Sequence, residues 1–179
     1  MRLRGLNHLD LCVPDYPSCL DFYDRMFGRL GYGSFKTGGM AYEATYYTAL
    51  PHSYVGIHPA AEGSWERIDP ERHAPGLHHV AIWARGRREV DRFHREFLVA
   101  GGVEVTDAPQ EYPLYTPGYY AVFFRDPAGI RWELAHIPLL PTPRQILRFT
   151  RATRAGLEEI RGDGPRPRMR DMFRKLPRG

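Results

Sequence analysis

Two stretches of this chain repeat one alternation of apolar and other residues. Leu6-Asn7-His8-Leu9-Asp10-Leu11-Cys12-Val13 matches Leu77-His78-His79-Val80-Ala81-Ile82-Trp83-Ala84. A period of two marks a strand with one buried face. Behind each stretch the period lengthens to that of a helix. Leu20, Tyr23, Phe27 and Leu30 mark one face of the first helix, and Val90, Phe93, Phe97 and Ala100 that of the second. A glycine stop follows each, Gly31 or Gly101. Three more strands are predicted in each half, over 33–37, 41–49 and 53–58, then over 103–106, 119–125 and 130–137. Asp126-Pro127-Ala128-Gly129 is a reverse-turn sequence joining the last two. Each half therefore reads βαβββ. The expectation is an α+β fold of two paired βαβββ modules, module one over 4–60 and module two over 76–138, within a domain spanning 1–140.

After residue 140 the pattern changes. Pro141-Thr142-Pro143 breaks the chain, and 144–160 reads as an amphipathic helix with Ile146, Thr150, Thr153, Leu157 and Ile160 on one face and Arg144, Arg148, Arg151 and Arg154 on another. This changes the meaning of the charge. Of 25 Lys+Arg and 21 Asp+Glu in 179 residues, the tail 141–179 holds 11 and 4, a net of +7. The preceding 140 residues hold 14 and 17, a net of −3. The overall +4 thus belongs to an Arg-rich, helical extension. Such a helix can meet nucleic acid, an anionic membrane or its own domain. No nucleic-acid motif accompanies it and its apolar face carries two threonines, so docking on the acidic body or across a homodimer is expected.

Composition excludes further classes. No stretch approaches the ~20 apolar residues of a membrane-spanning helix, and the N-terminus carries no continuous apolar run of a secretory signal. Cys12 and Cys19 cannot build a disulfide framework. A cytoplasmic protein is expected.

Alternation also sorts the chemistry. If Leu9, Leu11 and Val13 pack under the first helix, His8, Asp10 and Cys12 take the opposite face. By the same rule His79 and Ala81 oppose Val80 and Ile82, so His8 and His79 hold equivalent places. In the final strand Trp132 and Leu134 form one row, Arg131 and Glu133 the other. If the modules pair side by side, His8, His79 and Glu133 converge. Two neutral imidazoles and a carboxylate suit a divalent ion and leave positions open for substrate or water.

These features, His8 in Asn-His-Leu, His79 in His-His-Val, and Asp126-Pro127-x-Gly129-x-x-x-Glu133, resemble the vicinal oxygen chelate superfamily. That superfamily includes glyoxalase I, fosfomycin-resistance thiol transferases, extradiol dioxygenases and bleomycin-binding proteins. The resemblance spans roughly residues 4–138. It implies a cup-shaped mixed sheet around one divalent metal (Zn, Ni, Mn or Fe, which accept similar ligands) held by His8, His79 and Glu133. It also implies a small-molecule substrate. Departures narrow the choice. Glyoxalase I-like enzymes use a further Glu on the last strand of the first module, where Gly56 stands here; His58 and Glu43 are the nearby substitutes. Ring-cleaving dioxygenases carry a Tyr where Phe123 stands and an upstream His that 114–116 lacks. Tyr112, Tyr115, Tyr119 and Tyr120 form a cluster that, with Phe123 on the next strand, is expected to rim the pocket. His78 is expected to point away from it. The expectation is a glyoxalase-like enzyme of isomerase, lyase or thiol-transfer type, its catalytic residues unassigned. The alternative is a metal-free, bleomycin-resistance-like binding protein.

Overall fold

The computed structural model describes residues 6–37, 43–50, 53–63 and 76–161. Twice along the chain a strand leads into a helix and three further strands. The first set is β1 (His8–Val13), α1 (Tyr16–Arg29), β2 (Gly33–Thr37), β3 (Ala44–Leu50) and β4 (Ser53–Pro59). The second is β5 (Val80–Trp83), α2 (Arg87–Phe93) with a π-helical continuation (His94–Val99), β6 (Val105–Glu111), β7 (Tyr120–Arg125) and β8 (Arg131–His136); α3 (Pro143–Arg161) follows. The expected repeat is therefore present: the strands form two four-stranded mixed sheets, ordered β1-β4-β3-β2 and β5-β8-β7-β6. In each, the first strand pairs parallel with the last and the remaining pairs are antiparallel. A parallel pair needs a long crossover, which the helix supplies. Residues 41–42 of the expected third strand, the linker over 64–75 and the chain beyond 161 lie outside the described residues.

Leu11 and Val13 are buried while His8, Asp10 and Cys12 on the other face are exposed, as the period of two requires. Both helices bury their apolar stripes in one core that runs through both modules. Phe27 of α1 stacks on Tyr47 of β3 at 4.6 Å and meets Trp132 of β8 edge-on at 5.8 Å. Thus α1 lies between the helix-bearing faces of the two sheets, and their free faces point outward on either side of it. Asp126 of the β7–β8 turn pins this packing. Its Oδ2 accepts hydrogen bonds from the Tyr23 hydroxyl and from Trp132 Nε1 (2.8 Å), and its Oδ1 from the Ile130 N–H (2.8 Å).

Both helices end in the same way. Gly31 (φ 82°) and Gly102 (φ 64°) take the left-handed conformation, and the next residue's N–H reaches back to a carbonyl five residues earlier, Tyr32 to Phe27 (3.0 Å) and Val103 to Leu98 (2.8 Å). The second stop is thus Gly102, one residue past the expected Gly101. The π-helical turn is the reason. Its wider winding brings adjacent Phe97 and Leu98 both into the core and leaves Ala100 exposed. Strand β6 outruns its prediction by five residues, because register shifts at Asp107 and Gln110 accommodate Pro109 on an edge strand.

The tail helix opens with reciprocal capping, Thr142 N–H to Gln145 Oε1 (2.7 Å) and Gln145 N–H to Thr142 Oγ1 (3.3 Å). It rests on the second module: Arg148 Nη1 donates to Glu111 Oε2 at 2.5 Å. No helix among the described residues is long and apolar enough to cross a membrane.

Candidate functional site

The free face of the second sheet gathers a histidine, a carboxylate and aromatic rings. Phe123 of β7 and Ala81 of β5 both stand opposite Glu133 of β8, so all three share a face, and the small Ala81 leaves the carboxylate room. His79, just ahead of β5, places Nε2 3.3 Å from Glu133 Oε2. Its Nδ1 meets Nδ1 of the exposed neighbour His78 at 2.6 Å. Burial, the neighbouring His78 and the Arg131 cation all push the His79 pKa down, which keeps the imidazole neutral and its lone pair available near neutral pH. Burial pushes the Glu133 carboxyl up, opposed by the Tyr119 phenol and by Arg131. Glu133 is 1% exposed, and its Oε1 is buried without a hydrogen-bond partner. A buried carboxylate oxygen left so costs about 1–3 kcal/mol or more, and a bound ion is one way such a group is satisfied.

An aromatic wall stands beside this pair. Tyr112 stacks on Tyr115 at 5.5 Å, Tyr119 meets Tyr115 edge-on at 5.2 Å, and Phe123 meets Tyr112 at 5.3 Å and His79 at 5.9 Å. Of the expected rim, Tyr115, Tyr119 and Phe123 therefore come together at His79 and Glu133. Tyr120 does not. Its hydroxyl donates to Asp91 of α2 at 2.7 Å and the Arg87 guanidinium covers its ring, because within β7 it alternates with Ala121 and Phe123 and faces the helix. Arg131 and Asp107 belong to the site although neither was expected there. The Arg131 guanidinium lies 4.7 Å over Phe123 and bonds Asp107 at 2.7 Å. The signal for Arg131 lay in its sharing a row with Glu133.

The free face of the first sheet carries a second constellation. His8 stacks on Tyr54 at 4.7 Å, its Nδ1 meets Asn7 Oδ1 at 2.7 Å, and its Nε2 lies 3.9 Å from Asp10. His58, buried, places Nε2 3.5 Å from the other Asp10 oxygen. Glu43 faces elsewhere: it is exposed and bonded to Lys36 of β2 at 2.6 Å, so it is corrected from a substrate-binding candidate to half of a surface ion pair. Among the described residues no three His, Cys, Asp or Glu side chains form a metal-holding group. Within one chain, then, His79 and Glu133 meet, and His8 stands apart with Asp10 and His58.

Comparison with known proteins bears on this arrangement. The model of the Glyoxalase/Bleomycin resistance protein/Dioxygenase superfamily matches residues 5–134. The uncharacterized protein YqjT of Bacillus subtilis is 29% identical over 133 residues, covering 72% of this chain and 96% of that protein. A glyoxylase/bleomycin resistance protein/dioxygenase domain from Frankia sp. EAN1pec superposes with a TM-score of 0.60 at 21% identity, over 75% of this chain and 98% of that one. A variant of the fosfomycin resistance protein FosX from Listeria monocytogenes, complexed with Mn(II) and 1S,2S-dihydroxypropylphosphonic acid, superposes with a TM-score of 0.54 at 18% identity, over 82% of this chain and 99% of that one. Likeness at such identities is a likeness of fold.

Proposed function

The chain belongs to the glyoxalase/bleomycin resistance protein/dioxygenase superfamily, and from that premise we propose that it is a divalent-metal-dependent enzyme acting on a small molecule with adjacent oxygen atoms. The observation that carries this reading is the buried, unpartnered Oε1 of Glu133 beside a neutral His79. That donor set fits a divalent ion, and His79 and Glu133 would hold it. When bound, the ion supplies Lewis-acid polarisation of a substrate oxygen. The chain's own residues do the rest. Tyr119 lies on Glu133 and steadies its charge, Arg131 offers a cation to an anionic group, and Tyr112, Tyr115 and Phe123 exclude water and stack on the substrate. Isomerase, lyase or thiol-transfer chemistry fits this face better than ring cleavage, because Phe123 presents a ring with no hydroxyl.

His8 joins the site from a second copy of the chain. The free faces point away from α1 on either side, and β1 and β5 are both sheet edges whose open backbone groups favour further pairing. A twofold homodimer laying one copy's first sheet beside the other's second brings His8 to His79 and Glu133, twice. The free thiols, Cys12 exposed and Cys19 buried with its pKa pushed up to about 12, mainly by burial, fit a reducing cytoplasm.

Mn(II) is the first ion to test, since the FosX complex contains it. Purified protein should bind it stoichiometrically by calorimetry, and His79→Ala and Glu133→Gln should abolish the signal. Wild type and His79→Ala holding equally little Mn(II) or Zn(II) would sink the reading. The aromatic wall favours one other function, a metal-free binding protein. That reading predicts thermal stabilisation by a planar ligand that survives chelator.

A further inference from the structure

The two free faces differ by an exchange across one register pair. In the second module Ala81 of β5 stands opposite Glu133 of β8; at the same place in the first, Asp10 of β1 stands opposite Gly56 of β4. The acid and the small residue have traded strands. The trade is spatially exact enough to be exclusive: a Cβ built on Gly56 would lie 2.1 Å from Asp10 Oδ1 and 2.7 Å from the Tyr46 ring. The Asp10 carboxylate therefore fills the room that a side chain at position 56 would need. Two imidazoles stand near it, His58 Nε2 3.5 Å from one oxygen and His8 Nε2 3.9 Å from the other. Each module thus owns a histidine paired with a carboxylate, His79 with Glu133 and His8 with Asp10.

We propose that Asp10 is a metal-binding residue of this protein, the first module's carboxylate delivered from β1 instead of β4 and positioned by His58. This rests on the metal-site reading above. With His8 brought in from a second copy, its neighbour Asp10 would come too, so that His8, His79, Asp10 and Glu133 would together hold the ion. Two carboxylates balance a divalent charge and weight the donor set toward oxygen, which suits Mn(II). Were Asp10 and His58 merely an ion pair bracing the sheet, their loss would lower the melting temperature and leave metal affinity alone.

The test is Mn(II) titration of the full chain by calorimetry, with circular dichroism and thermal melting on each variant. Asp10→Asn, which keeps the shape, and Asp10→Ala should each weaken Mn(II) binding by about tenfold or more, the scale at which groups around a metal act. His58→Ala should weaken it less. The double variant Asp10→Ala/Gly56→Glu should regain affinity, because removing Asp10 opens the space. The Tyr46 ring, 2.7 Å from a Cβ at position 56, must also shift to admit that glutamate; in the equivalent pair of the second module, Phe123 stands opposite Glu133. If wild type binds Mn(II), His79→Ala does not, and Asp10→Asn binds like wild type, the Asp10 assignment falls while the metal-site reading stands. A folded double variant as weak as Asp10→Ala likewise overturns it. No binding by wild type sinks the metal-site reading itself.

Discussion

Asp126 takes hydrogen bonds from a helix of one module, an indole of the other and the turn it starts, all in the core. Removing one donor shows what the carboxylate contributes: Tyr23→Phe should lower stability in urea by about 1–2 kcal/mol, since the contact joins a buried phenol to a carboxylate. Burial raises the Asp126 pKa, against the pull of Tyr23, Trp132 and the Ile130 N–H. A carboxyl with a folded-state value above its unfolded 3.8 contributes stability that is fully present below 3.8 and lost as pH rises through the raised value. Asp126→Asn should accordingly flatten the profile of melting temperature against pH just above 3.8, and a profile that keeps its slope would contradict the assignment. Single residues also show what alternation can resolve. His79 and Glu133 were legible because each sits in a strand, or beside one, whose apolar row is unmistakable. Tyr120 was misplaced because a cluster of four tyrosines across a loop and a strand start gives no phase until the strand's first residue is known.

Glu111 sits at the junction of β6, α2 and α3, bonded to Arg87 and Arg148. Arg87 first of all holds its carboxyl below the usual value; burial opposes this, and Arg148 adds to the lowering. With the folded-state value depressed, the contribution is present above the unfolded value of 4.5 and lost as pH falls through the folded one. Both partners are well exposed, so the clasp contributes no more than about 1 kcal/mol and weakens with salt. Glu111→Gln at neutral pH should therefore lower the amide-exchange protection of α3, with that of the core of β7 and β8 unchanged. Equal exchange in the two proteins would show that α3 is held by other contacts. The element boundaries teach the same lesson as this clasp. The apolar face of α2 was legible, but its π-helical turn was not, because winding is chosen by what Phe97 and Leu98 must fill. The reach of β6 past Pro109 was hidden for a related reason: a proline reads as a break unless the strand lies at an edge.

For the whole molecule, the proposed site belongs to no single chain. If one copy supplies His8 and the other His79 and Glu133, then His8→Ala and His79→Ala are each defective in both sites of their homodimers. A hybrid of the two restores one intact site. Mixing the variants under conditions that exchange subunits should recover about a quarter of wild-type metal binding, from statistical pairing in a twofold dimer. Recovery of none, with exchange verified by mass, would place both histidines' contributions within one chain.

The repeat, the topology it implies and the face on which each candidate side chain stands were written in the sequence, because side-chain direction in a strand follows from a local period of two. His8, Asp10, His79 and Glu133 were all placed on their observed faces in this way. Which of these faces meet was decided only in three dimensions. Phe27 and Tyr23 of α1 draw the backs of both sheets together through Tyr47 and Trp132, and so turn the histidines outward and apart. The exchange of Asp10 for a residue at position 56 was equally hidden. Residues 46 positions apart become competitors for one volume only when β1 lies beside β4, and side-chain volume, unlike direction, is a property of neighbours in space.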